Sequence, residues 1–160
     1  MVAETHLDMS DMVYPLFIVE GEGIREEIPS MKEVYRYSLD RLDEELDELV
    51  DLGINKVILF GIPKEKDDKG SQAYAEEGII QRALRQIKKT HPDIYLIADL
   101  CMCEYTDHGH CGILDENGYV KNDETLDYLA QIALAKGRGR HDCTVRHDGR
   151  KDCCHQKGPG

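Results

Sequence analysis

A chain of 160 residues with 20 basic and 32 acidic side chains carries a formal net charge of −12. That length suits one domain of ordinary size, and the acidic balance argues against a nucleic-acid partner. No apolar run approaches the roughly 20 residues that cross a bilayer, which excludes a membrane partner of that kind. The opening MVAETHLDMSD lacks the basic-then-apolar pattern of a signal peptide. The expected location is the cytoplasm, where cysteines stay reduced and favour metal binding over disulfides.

In chain order, residues 1–11 are a polar lead-in. Residues 13–19, with Tyr14, Phe17 and Ile18, are apolar on both faces and predict a buried strand. Pro15 is tolerable near its start, and Gly21 and Gly23 end it. Residues 24–37 read as a connecting loop. Ser38 is a candidate helix N-cap, with Asp40 in the first turn. Leu39, Leu42, Leu46, Leu49 and Val50 then recur at helical spacing, and Gly53 stops the helix.

Residues 56–60 predict a second strand and residues 61–74 a polar loop. Lys64, Lys66 and Lys69 in that loop suit either an anionic ligand or plain solvation, and solvation is the ordinary fate of surface charge. A helix over residues 76–89 would bury Ile79, Ile80, Ala83, Leu84 and Ile87, with Lys88 and Lys89 at its end and Pro92 barring continuation. Residues 94–98 predict a third strand. After a turn at Gly118, Asp123 would cap a helix to residue 135, with Leu126, Leu129, Ile132 and Ala133 inward.

Strand and helix thus alternate three times at intervals of about 40 residues, which calls for right-handed βαβ units and a parallel sheet. This α/β reading has the repeat size of an eight-stranded β/α barrel of roughly 320 residues, of which three units are visible.

The third strand runs into IADLCMCEYTDHGHCG, residues 97–112. Cys101, Cys103 and Cys111 form C-x-C-x7-C, with Asp99 before them and His108 and His110 within the last interval. If the strand continued, Asp99, Cys101 and Cys103 would share a side. Three thiolates can close on a soft divalent metal and leave a fourth position free, as in catalytic zinc sites. Spacing alone also admits ordinary inert cysteines. A Cys101–Cys103 disulfide is disfavoured, because an extended C-x-C holds its sulfurs badly for bridging.

CMCEYTDHGHCG closely resembles the metal-binding segment of the porphobilinogen synthases, also called 5-aminolevulinate dehydratases. YPLFIVEGEG, IPSM, LFGIP, KDDKGS and NGYVKNDET resemble the same family in the same order, from about residue 2 to residue 135. The resemblance implies a TIM (β/α)8 barrel, incomplete here, of the cysteine-type zinc-dependent kind. It implies zinc on Cys101, Cys103 and Cys111, and a role for Asp99 in proton transfer or orientation. His108 and His110 would line a lid or merely sit in a loop. The implied reaction condenses two 5-aminolevulinate molecules to porphobilinogen with loss of water, in tetrapyrrole and heme biosynthesis. Zinc would act as a Lewis acid, and two lysines would form Schiff bases with the substrates. No lysine of this chain matches either one, so the 160 residues alone are expected to be inactive. The family assembles as homo-octamers through an N-terminal arm that is mostly missing here, so normal assembly is not expected.

Residues 136–160 differ in kind. They hold seven Lys/Arg against three Asp/Glu, a net of +4, which leaves −16 on residues 1–135. With suitable codons, removing one A from the Lys136 codon lets the next frame spell KAGADMIAPSDMMDGRIAAIRKGL, which resembles the family's continuation. The expectation is a frameshift-derived tail, disordered because it cannot bury enough apolar area. Cys143, His147, Cys153, Cys154 and His155 would then be accidental rather than a second metal site. A rival to the enzyme reading is a non-catalytic zinc-binding α/β module; a third reading is a fragment complemented by a separate second half.

Overall fold

The computed structural model describes residues 5–137 and the backbone of residues 143–146. Its strands are β1 (Tyr14–Val19), β2 (Arg25–Ile28), β3 (Met31–Tyr37), β4 (Lys56–Ile62), β5 (Tyr95–Asp99) and β6 (Cys143–Arg146). Its helices are α1 (Leu42–Asp51), α2 (Ile79–Thr90) and α3 (Asn122–Gly137). They form one sheet in the order β2-β3-β1-β4-β5-β6. β3, β1, β4, β5 and β6 run parallel, and β2 pairs antiparallel with β3 at the edge. The βαβ succession and parallel sheet expected from the sequence are therefore present, as an open arc of a β/α barrel.

Three strands depart from the expectation. Residues 24–37 form the β2–β3 hairpin instead of a loop. Their charges sit on the ribbon's outer side, where Arg36 pairs with Glu26 at 2.6 Å and Arg25 lies 4.1 Å over the Tyr35 ring. Such cross-strand pairs hold a ribbon that shows no apolar run. Ser38 does not cap a helix with its side chain; its Oγ accepts from Ile24 N at 2.9 Å and closes the hairpin base. The third is β6, which continues the sheet where the tail was expected to be disordered, because β5 offers it an unpaired parallel edge. Its remaining neighbours in residues 138–160 lie outside the described residues.

The predicted helices keep their places with shifted ends. α1 ends in a Schellman motif: Gly53 (φ 80°) donates to Val50 O and Ile54 to Leu49 O, each at 2.9 Å. Val50 is exposed, and Glu45 is buried in its stead. α3 starts at Asn122, so Asp123 lies in its first turn rather than at the cap. It also runs through residue 136 to Gly137, so the expected boundary at residues 135–136 falls inside its last turn.

One apolar core lies between the sheet and α1 and α2, around Leu16, Ile18, Leu46, Leu59, Ile80 and Leu96. A second sits beyond the ends of β4 and β5. There Leu100, Met102 and Tyr105 pack on Leu129 and Ile132 of α3.

Glu45 marks the first core's polar border. It accepts from the hydroxyls of Tyr14 at 2.9 Å and Tyr37 at 2.6 Å. Burial, then the Glu45 bond, pushes the Tyr14 phenol up to about 12. An unfolded tyrosine ionises near 10, so this group's contribution is intact below that pH and is lost as pH rises through the folded value. A chemical-denaturation series from about pH 9 to about pH 12 should show falling stability, and Tyr14→Phe should flatten the fall. An unchanged slope in Tyr14→Phe would contradict this.

Candidate metal centre

β5 delivers the site. Its hydrogen-bonded ladder ends at Asp99, yet the in-and-out alternation persists for four more residues. Leu100 and Met102 are buried while Cys101 and Cys103 are half-buried. Apolar burial of the two even positions thus turns the two thiols to the same side. The strand does not extend to Cys103 as supposed; the chain bends, with Tyr105 N and Thr106 N both donating to Met102 O.

Cys111 returns from the far side of this loop. Gly109 (φ 71°) makes the reversal, and Thr106 Oγ1 donates to His110 O at 3.0 Å. Gly112 then passes so close to α3 that a Cβ would stand 2.6 Å from Thr125 Oγ1 and 2.6 Å from Val120 Cγ1. Thr125 is itself pinned, accepting from Ile113 N at 3.0 Å and donating to Lys121 O at 2.7 Å.

The result is a three-sulfur cluster. Cys101 Sγ lies 3.3 Å from Cys103 Sγ and 3.1 Å from Cys111 Sγ, and all three fall within 4.8 Å of one another. Tetrahedral zinc with Zn–S near 2.3 Å needs sulfurs about 3.8 Å apart, so a slight opening of the cluster admits the ion. Soft thiolates select zinc-like metals over magnesium or calcium. Asp99, Cys101 and Glu104 also place one donor each within 4.8 Å, and Glu104 Oε2 lies 3.5 Å from Cys103 Sγ.

Burial pushes the Cys101 and Cys103 thiols up, and at Cys103 the Cys101 bond and the Glu104 charge add to it. Without metal, Cys101 and Cys103 are therefore held as thiols.

The histidines stand apart from the sulfurs. The His108 and His110 rings lie tilted at 33° with centroids 5.6 Å apart, and His108 Nδ1 accepts from His110 N at 3.1 Å. His108 Nε2 lies 3.4 Å from Asp68 O in the 66–71 loop. That loop is ordered by Asp67, whose carboxylate accepts from Lys69 N, Ser71 N and the Ser71 hydroxyl. Burial raises the Asp67 carboxyl, but the Ser71 and backbone bonds outweigh it and hold the group below its ordinary value. Asp67 O accepts from Asp107 N at 3.1 Å, which ties the loop to the cysteine segment. Lys64, Lys66 and Lys69 are exposed, in keeping with solvation.

Sequence reading missed Thr125, Lys136, Glu104 and Asp67. The readable signal was the stripe 125, 129, 132, 136 on α3, spaced 4-3-4, in which the two end positions are polar yet buried. Cys143 is described only as backbone, and His147, Cys153, Cys154 and His155 lie outside the described residues.

The family model for delta-aminolevulinic acid dehydratase matches residues 1–148. A relative of that description from Halalkalibacterium halodurans is 54% identical over 142 residues, covering 89% of this chain and 43% of its own length. One from Bacillus subtilis is 51% identical over 142 residues, covering 89% of this chain and 44% of its own. A crystal structure of delta-aminolevulinic acid dehydratase (porphobilinogen synthase) from Toxoplasma gondii ME49, in complex with the reaction product porphobilinogen, superposes with a TM-score of 0.85. It is 32% identical and covers 93% of this chain and 44% of that one. The chain spans less than half the length of the relatives it matches. Among the described residues no helix is long and apolar enough to cross a membrane.

Two outcomes are expected. Gly112→Ala forces its methyl against the doubly bonded Thr125 and should cost about 1–3 kcal/mol of stability, read by thermal unfolding, and weaken metal binding with it; an unchanged melting curve would contradict the packing. Binding must also displace protons from at least two raised thiols. Zinc affinity, measured by competition with a chelator, should therefore fall by at least about a hundredfold per pH unit lost near neutrality. A pH-independent affinity would contradict a thiolate site.

Proposed function

The chain belongs to the delta-aminolevulinic acid dehydratase family, and on that premise we propose that it is the metal-holding portion of a zinc-dependent porphobilinogen synthase. The whole enzyme would condense two 5-aminolevulinate molecules to porphobilinogen with loss of water, in the cytoplasm. The observation that carries the reading is the convergence of Cys101, Cys103 and Cys111 at the C-terminal end of a parallel strand. That is the end where β/α barrels gather their reactive groups.

In this role the thiolates of Cys101, Cys103 and Cys111 would hold zinc, with substrate able to supply a further ligand. Bound there, zinc supplies Lewis acidity toward a substrate oxygen. Asp99, at the last position of β5 and beside Cys101, orients substrate or holds a proton close to the metal. His108 and His110 form part of a cover over the cluster, steadied by the Asp68 carbonyl. The Schiff-base lysines belong to the part of the relatives that this chain does not span, since no lysine here matches them.

We also infer that the family-like unit gives way to a shifted reading frame at residues 135–136, carried by the charge reversal there and by the reading-frame argument, in which Lys136 itself is spelled in both frames. Sequencing the gene across those codons tests it: a run of A whose shortening by one base restores the family-like frame supports a frameshift, in the organism or in the earlier sequence, and codons with no surplus base there remove it.

The function is tested by grafting. Residues 1–136 replace the matching segment of the Bacillus subtilis relative, and porphobilinogen formation is followed colorimetrically. The chimera should be active, lose activity with a zinc chelator, and regain it with zinc. Cys103→Ala should abolish it, while the 160-residue chain alone should form no product. A folded, zinc-loaded but inactive chimera would overturn the enzyme reading and favour a non-catalytic zinc-binding module.

A further inference from the structure

α3 carries a buried stripe of four residues: Thr125 (1% exposed), Leu129 (1%), Ile132 (0%) and Lys136 (2%). The two middle residues are ordinary core. The two end residues are polar, and each bonds the backbone of the cysteine segment at one of its two ends. Thr125 Oγ1 takes Ile113 N, two residues after Cys111. Lys136 Nζ donates to Asp99 O at 2.6 Å, two residues before Cys101. Eleven residues of helix separate the two grips, a span of about 16 Å.

Lysine is an expensive choice for a buried position. Full burial of an ammonium is tolerated only with good partners. Here Nζ has the Asp99 carbonyl and lies 5.1 Å over the face of Tyr105, itself buried. Tyr105 belongs to the cysteine loop, so Lys136 touches the segment on both sides of Cys101 and Cys103. A leucine or methionine would fill the same space in the apolar cluster at lower desolvation cost. What the ammonium adds is direction: a charged donor fixes where the last β5 carbonyl points, and with it the start of the C-x-C bend.

We propose that Lys136 is a positioning residue for the metal centre. Through the Asp99 carbonyl and the Tyr105 ring it holds the C-x-C bend in the geometry that brings the Cys101 and Cys103 sulfurs beside Cys111. This rests on the three-thiolate site described above. Partners that orient the first shell of a metal without touching it commonly contribute about tenfold to a hundredfold in affinity.

The test uses the full chain loaded with Co(II), whose absorption reports both thiolate count and tetrahedral geometry, with affinity from chelator competition. Lys136→Met keeps the length and apolar fit and removes the donor and charge. It should bind Co(II) about tenfold to a hundredfold more weakly, with reduced thiolate charge-transfer intensity at saturation. Lys136→Arg keeps donor and charge; it should recover most of the affinity and the spectrum. Leu49→Ala, in the other core, is the stability control: it should lower the melting temperature and leave the Co(II) spectrum unchanged. If Lys136→Met fails to fold, Lys136→Leu, which also lacks donor and charge, is read in its place, with the same expected loss. Parent-like affinity and spectrum in the Met or Leu variant would overturn the proposal. So would a loss that Leu49→Ala reproduces at equal destabilisation, since Lys136 would then act only on folding. No Co(II) binding by the parent would overturn the three-thiolate site itself, a failure distinct from either.

Discussion

The site depends on one helix gripping one loop at both ends. A segment of fifteen residues, 99–113, leaves β5 and must bring three sulfurs within 4.8 Å of each other. It has little regular structure of its own, and a free loop of that length would spread those sulfurs over many arrangements at a large entropic cost. α3 removes most of that freedom. Lys136 fixes the carbonyl where the loop departs and Thr125 fixes the amide where it ends. Leu129 and Ile132 between them bury Leu100, Met102 and Tyr105. The polar bonds give direction and the apolar contacts give adhesion, so the same stripe does both.

Other constraints are subordinate to that grip. The 66–71 loop closes the segment's flank by exchanging backbone bonds with residues 105 and 107, and is itself stiffened by Asp67. Gly112 permits the closest approach, since any side chain there would displace Thr125. The parallel sheet supplies the frame: β4 and β5 are in register, Leu59 beside Ala98, so their following loops leave from the same edge. Parallel strands with helical crossovers leave their loops at one end, and this is why chemistry collects there.

Much of this was legible in the sequence, for physical reasons that also explain what was not. The runs of β1, β4 and β5 carry apolar residues on both faces and announce themselves, although β1 and β4 are fully buried on one face and half-buried on the other. α2 was readable because its apolar spacing is uninterrupted. The β2–β3 hairpin was not, because a half-exposed ribbon stabilised by Arg36–Glu26 and Arg25–Tyr35 pairs looks like a polar loop. Glu45 and Lys136 defeated the hydrophobic pattern in the same way: each is a charged residue type buried with specific partners, and a periodicity rule places such residues outside. The cysteines were visible as a motif, and alternation puts Cys101 and Cys103 on one side, although the strand itself ends at Asp99. Their convergence arises from burial of Leu100 and Met102 beyond the strand's end, together with a glycine-shaped return to Cys111. Within the tail, only Cys143–Arg146 is described beyond α3, and it adds a parallel strand to β5. A four-residue strand with an edge to pair against needs little pattern of its own.

The central claim is that the loop's three sulfurs act together on one metal ion. X-ray absorption at the zinc edge of the zinc-loaded chain tests it most directly, because it counts scatterers and measures their distances. The account predicts three sulfurs at about 2.3 Å with one lighter ligand completing the shell. A shell of nitrogen and oxygen, or one with fewer than three sulfurs, would contradict it.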